Sequence, residues 1–176
     1  MKDDSHHVIF MQKAIREAEL AYQAGEFPVG CVIADGRDVI ASGSRTASRG
    51  ITANEIDHAE ILALRNLYEK WPGIGSDISK DELCLYSTLE PCLMCFGAIL
   101  ISGIRHIVYA LEDVMGGGTS CGLQTLTPLY RDIELIVTPH VCRLESAALM
   151  RAFFSSPDNS YLKDTLFSEY AIGLKC

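Results

Sequence analysis

Apolar side chains recur at Met11, Ala14, Ile15, Ala18, Ala21 and Tyr22, a spacing that predicts an amphipathic helix over 9–24, closed by Gly25. Runs 29–34 and 39–42 are rich in β-branched residues and flank DGRD, a turn signal, so a hairpin is expected there. A polar stretch, 43–57, is long enough to carry function. Helical spacing returns over 58–71, with Ile61, Leu62, Leu64, Leu67 and Tyr68 on the apolar face, and the segment WPGIGSD breaks it. Further on, 83–88, 105–110 and 133–138 read as strands, and 91–102 and 143–154 as helices. Pro91 falls in the first turn of its helix, where its missing N–H costs nothing. GGGTSCG is a flexible loop, 123–130 a short helix, and 161–170 a last helix after the break SSPDNS.

After the hairpin, strands alternate with helices. The pattern predicts an α/β fold, a three-layer α/β/α sandwich around a mixed five-stranded central sheet, with right-handed crossovers. Residues 1–154 form the main unit and 155–176 a helical extension. Helix 91–102 is apolar on nearly every side, which expects burial against the sheet on one side and against a second subunit on the other.

Composition narrows the setting. No apolar run is long enough to cross a bilayer, and MKDDSHHVIF lacks the basic-then-apolar pattern of a secretory signal. The adjacent His6 and His7 read as solvated near a free terminus. Seven cysteines without an export signal fit a reducing cytoplasm, with metal or catalytic roles rather than disulfides. Cys31 and Cys84 lie in apolar runs and read as core thiols. A formal charge of −8 disfavours a polyanion such as tRNA, whose binding rests on Lys and Arg neutralising phosphates.

The chemistry centres on TLEPCLMCFG. Cys92 and Cys95, three apart, can serve as a redox pair, half of a structural zinc site, or part of a catalytic one. The chain has no second such pair, but it has His58-Ala59-Glu60 at another helix start. Helix starts present free N–H groups and a positive dipole end, which favour thiolate over thiol. His58, Cys92 and Cys95 would give three protein ligands and leave a fourth position for water. Glu60 cannot share a helix side with His58, two residues away. The two converge only if the metal lies off the helix tip, and Glu60 is then a proton shuttle, not a ligand.

H-x-E followed by P-C-x-x-C is the signature of zinc-dependent nucleobase deaminases. FPVGCVIADG, DHAEILAL, LYSTLEPCLMCFGAIL and GIRHIVYA occur in order, and over residues 10–154 the chain resembles the cytidine-deaminase-like superfamily. The branch it is similar to holds tRNA adenosine, guanine and cytosine deaminases. The resemblance implies that fold, a homodimer, and one zinc ion per chain held by His58, Cys92 and Cys95. It also implies hydrolytic replacement of an exocyclic amine by a carbonyl, with release of ammonia and with Glu60 carrying the protons.

The same resemblance expects substrate contacts at Ala59 and Glu90, through backbone groups, and places Phe153 and Phe154 where they either stack on a base or pack in the core. Where relatives carry an Asn that pairs with the base, this chain has Arg45, which cannot both donate and accept. Either the substrate offers Arg45 acceptors or negative charge, or Asn54 substitutes, or Arg45 is solvated. The family's Pro before the histidine is absent, and Asp57 there either orients a contact beside the ligand or, as the favoured reading, caps the helix. A free nucleobase or nucleoside is the expected substrate, on the acidic balance. Deamination of adenosine in tRNA is the alternative, and a non-catalytic zinc module a third reading.

Overall fold

The computed structural model describes residues 4–51, 53–71 and 82–174. The predicted hairpin forms from β1 (Gly30–Ala34) and β2 (Val39–Ser44), which pair antiparallel. Its turn is held by the Asp35 carboxylate, which accepts the Arg37 and Asp38 N–H groups at 2.9 Å each. With β3 (Cys84–Leu89), β4 (His106–Leu111) and β5 (Ile136–Thr138) the sheet has five strands in the order β2-β1-β3-β4-β5. β3 pairs antiparallel with β1 and parallel with β4, and β4 is parallel to β5, so the sheet is mixed as expected.

The two-residue repeat of the strands sorts their side chains to opposite faces. Val32, Ala34, Tyr86, Val108 and Ala110 pack on Phe10, Met11, Ala14 and Ile15 of α1 (Asp4–Gln23). Cys31, Ile33, Leu85 and Ile107 cluster with residues of α2 (Ala59–Lys70) and α3 (Leu93–Ile101). α1 ends in the C-cap geometry that Gly25 predicts: Gly25 has φ 74°, and the Glu26 N–H reaches the Ala21 carbonyl at 2.8 Å.

Several elements differ from expectation. α1 begins at Asp4, which brings His7 into the helix with its Nδ1 3.1 Å from the Tyr86 hydroxyl, so His7 is docked rather than solvated. Pro91 lies outside α3, just before the N-cap residue Cys92. The helix expected over 123–130 is a 3₁₀ turn (Leu123–Thr125) and a separate one-turn α4 (Pro128–Arg131). Pro128 holds Thr127 extended (ψ 163°) and divides the two. The last strand is only Ile136–Thr138. α5 (Arg143–Phe154) has its expected bounds. Helix 161–170 is displaced to α6 (Leu166–Gly173), because Asn159 folds the chain at Tyr161 and Leu162 and Asp164 take positive φ. A reciprocal Thr165–Ser168 capping box then starts the helix. α3 buries Cys95, Phe96, Ile99 and Leu100 but leaves Leu93 and Ile101 exposed, so within one chain it is covered on one side only. The breaker expected after Trp71 covers residues 72–77, outside the described ones. No described helix is long and apolar enough to cross a membrane.

Residues 155–174 pack back onto the main unit, with Phe167 and Ala171 of α6 in the same cluster as Phe153 and Phe154 of α5. Their tether is Glu112, just past β4. It accepts from Arg143 (Nε–Oε2 2.8 Å) and from the Tyr170 hydroxyl, with His140 Nδ1 3.2 Å away. The Arg143 hydrogen bond holds the Glu112 carboxyl down at about 2. A folded-state value below the unfolded one stabilises above the unfolded value, 4.5, and that contribution is lost as pH falls toward 2. Arg143→Ala is expected to cost on the order of 2 kcal/mol at pH 7, allowing for partial exposure. Melting curves should show the gap between wild type and variant narrowing at pH 3.5; a constant gap would place the stabilisation elsewhere.

Candidate active site

Two helix tips meet beside the central strands. β2 approaches the start of α2 closely enough that a Cβ on Gly43 would lie 2.5 Å from the Ala59 carbonyl oxygen, which accounts for the glycine. His58 is the N-cap residue of α2, with extended backbone (φ −69°, ψ 155°), so its ring leaves the helix end rather than its side. Cys92 is the N-cap residue of α3, and Cys95 lies in that helix's first turn.

These three side chains converge. His58 Nδ1 is 3.6 Å from Cys92 Sγ and 3.5 Å from Cys95 Sγ, and the three ligand atoms lie within 4.8 Å of one another. A tetrahedral zinc ion with Zn–S of about 2.3 Å and Zn–N of about 2.0–2.1 Å requires N and S roughly 3.6 Å apart. The donor set therefore fits zinc in both chemistry and span. Charge agrees: the hydrogen bond from Cys95, with help from His58, brings the Cys92 thiol down to about 4. The same contact with Cys92 and burial push Cys95 up, and the hydrogen bond to Cys92 raises His58. Among the described residues no fourth His, Cys, Asp or Glu joins this group.

Glu60 is 3% exposed. Its Oε1 accepts the Ser87 hydroxyl at 3.1 Å, and its Oε2 lies 3.5 Å from Cys95 Sγ. Burial raises its pKa. The Ser87 contact went unread in the sequence; its only signal is the strand period, which puts Ser87 on the same face as Leu85.

A cavity of about 200 Å³ opens on this centre, lined by His58, Ala59, Glu60, Glu90 and Cys92, with Phe27, Val29, Leu89 and Phe167 as apolar walls. Ala59 and Glu90, the expected backbone contacts, both line this cavity. The Glu90 side chain is a loop clamp: it accepts the Asp113 N–H (3.2 Å) and the Thr119 N–H (3.3 Å). A Cβ on Gly117 would lie 2.7 Å from the Asp113 carbonyl oxygen and press on the Glu90 carboxylate, so the glycine lets the loop close. Phe153 is not among the lining residues; it packs against Phe27 (5.5 Å) in the aromatic cluster, and Phe27 and Phe167 form the wall instead. Tyr161 and Leu162, from the segment beyond α5, also line the cavity, a contribution the sequence did not reveal.

Arg45 lines the cavity too, 2% exposed, and is not a solvated loop residue. The Asn54 side chain is committed to Ile56, Asp57 and its own turn (2.8–3.1 Å), and Asn54 does not line the cavity, so it does not replace the missing amide. Asp57 makes no helix cap; it pairs with Arg65 at 2.7 Å.

A buried carboxyl beside a His/Cys/Cys centre at two helix tips, on a mixed α/β sheet, is the arrangement of a zinc hydrolase. Residues 4–111 match the family described as the cytidine and deoxycytidylate deaminase zinc-binding region, and the chain belongs to it. It is 32% identical over 148 residues to a tRNA-specific adenosine deaminase of Streptococcus pyogenes, covering 82% of this chain and 87% of that one. It is 34% identical over 152 residues to the tRNA-specific adenosine deaminase of Agrobacterium fabrum, covering 82% and 91%. A solved structure from work on A-to-I editing by tRNA:A34 deaminases aligns with a TM-score of 0.64 at 34% identity, covering 80% of this chain and 97% of that one. The chain is accordingly a zinc-dependent hydrolytic deaminase, acting on a C–N bond of a cyclic amidine.

Proposed function

We propose that the chain deaminates adenosine presented in RNA of the tRNA type, converting its exocyclic amine to a carbonyl. The observation that carries the chemistry is the buried Glu60 carboxyl held against the His58/Cys92/Cys95 centre by Ser87. The substrate rests on the relatives, whose names favour tRNA adenosine over the free base that the charge of −8 favoured.

In this reading His58, Cys92 and Cys95 hold zinc. Bound there, the metal supplies Lewis acidity that brings the pKa of water from about 15.7 toward about 7. Glu60 accepts a proton from the attacking water, delivers it to the ring nitrogen, and assists the departure of ammonia. Ser87 fixes the carboxyl through Oε1 and leaves Oε2 toward the centre. Phe27 and Phe167 exclude water from the faces of the base. The exposed Leu93 and Ile101 on α3 support pairing of two chains.

A second reading, a free base or nucleoside, is favoured by one feature: Tyr161, Leu162 and Phe167 narrow the cavity to about 200 Å³, below the roughly 300–1,000 Å³ typical of ligand pockets. Ammonia release by the zinc-loaded chain decides between them. An RNA hairpin with an unpaired loop adenosine should be converted to inosine, ahead of adenine, adenosine, cytosine and guanine. Turnover of a free base with none of the hairpin would establish the second reading, and release from none of them would remove both.

A further inference from the structure

Arg45 is a buried cation whose needs the chain does not meet. Its Nη2 donates to the Asn54 carbonyl (2.9 Å), to Glu55 Oε2 (3.1 Å) and, at 3.4 Å, to the Tyr161 hydroxyl. Nε and Nη1 are buried and have no hydrogen-bond partner among the described residues. Leaving such donors unpaired costs on the order of 1–3 kcal/mol each, more for a charged group. Among the described residues its ion-pair partner is Glu55, which is 68% exposed and offers a single oxygen, so it compensates Arg45 weakly.

The other acids lining the cavity are engaged. Glu60 holds Ser87, Glu90 holds the 113–119 loop, and Asp113 accepts the Met115 and Gly116 N–H groups at 2.9 Å each. The unmet demand in the cavity is therefore for an acceptor, at Arg45. A ring carbonyl would answer one N–H and leave the charge uncompensated, whereas an anionic group answers both. Arg45 and Glu55 line the same cavity as His58, and Glu55 is largely exposed, so on their side the cavity reaches solvent.

We infer that Arg45 anchors a phosphate of the substrate, so that the site prefers nucleotides to bare bases and nucleosides, with Glu55 and Tyr161 holding the guanidinium until that phosphate arrives. The inference rests on the deaminase reading for the base, but its test is binding, not turnover. Zinc-loaded Glu60→Gln protein, which keeps the ligand intact, is titrated calorimetrically with adenosine, 5′-AMP and the RNA hairpin. At least one phosphate-bearing ligand should bind about tenfold or more tighter than adenosine, as a charge-assisted contact implies. Preference for AMP points to a free nucleotide, and preference for the hairpin alone to a phosphate within RNA. Adding Arg45→Gln should abolish the advantage, and Arg45→Lys should restore part of it. Glu55→Gln, at an exposed position, tests the same point without disturbing the core, and should tighten AMP or hairpin binding.

Equal binding of adenosine and both phosphate ligands, an advantage unchanged by Arg45→Gln, or weaker phosphate binding in Glu55→Gln would each overturn the inference. Arg45-dependent phosphate binding without ammonia release by the wild type would uphold it while removing the deaminase reading. Turnover with no preference for phosphate would do the reverse.

Discussion

Glu60→Gln is expected to retain zinc and to lose turnover by about 10²–10⁴-fold, the range for removing a positioned general acid–base. Gln has nearly the same shape and keeps an amide oxygen to accept the Ser87 hydroxyl, which reaches Glu60 at 3.1 Å. It cannot take up a proton, so it fails both in activating water and in protonating the ring. Because His58, Cys92 and Cys95 are untouched, metal content by atomic emission should match the wild type. The two measurements together identify the role. Loss of zinc along with activity would make Glu60 a ligand, and normal turnover would remove it from the mechanism.

Cys92→Ser is expected to lose metal and activity together. Zinc binds thiolate, the Cys95 hydrogen bond and His58 draw the Cys92 thiol below its ordinary range, and a serine hydroxyl at neutral pH supplies no such charge. Losing a ligand should weaken zinc affinity by at least the roughly 10–100-fold that follows loss of a supporting residue. At fixed, saturating free zinc the folded state would then lose at least about 1.4 kcal/mol of linked stabilisation. Chelator competition reads the affinity, and melting with and without zinc reads the linkage. A variant with wild-type zinc content would take Cys92 out of the ligand set.

Local patterns carried much of the fold. The hairpin needed only β-branched runs around DGRD, and α5 only its apolar spacing, so both were legible without tertiary information. Errors arose where turn chemistry competed with periodicity. Tyr161 to Tyr170 has helical spacing, but the Asn159 side chain and the positive φ at Leu162 and Asp164 delay α6 to Leu166. Pro128 likewise divided what hydrophobicity joined.

The metal centre was the most legible part of the site. His58, Glu60, Cys92 and Cys95 are residue types whose chemistry is specific, and their spacing at two helix starts allowed a single off-axis meeting point. Their convergence was an expectation of the sequence, because helix geometry limits where a first-turn side chain can reach, and the structure brings the side chains together. Only the tertiary structure decided what surrounds it. Ser87 comes to Glu60 from another strand, and Tyr161 and Phe167 reach the cavity from the far end of the chain. Phe153 turned into the aromatic core, and Arg45 was drawn inside with two nitrogens unpaired among the described residues. Such contacts join residues distant in sequence through packing, and packing leaves no periodic trace along the chain.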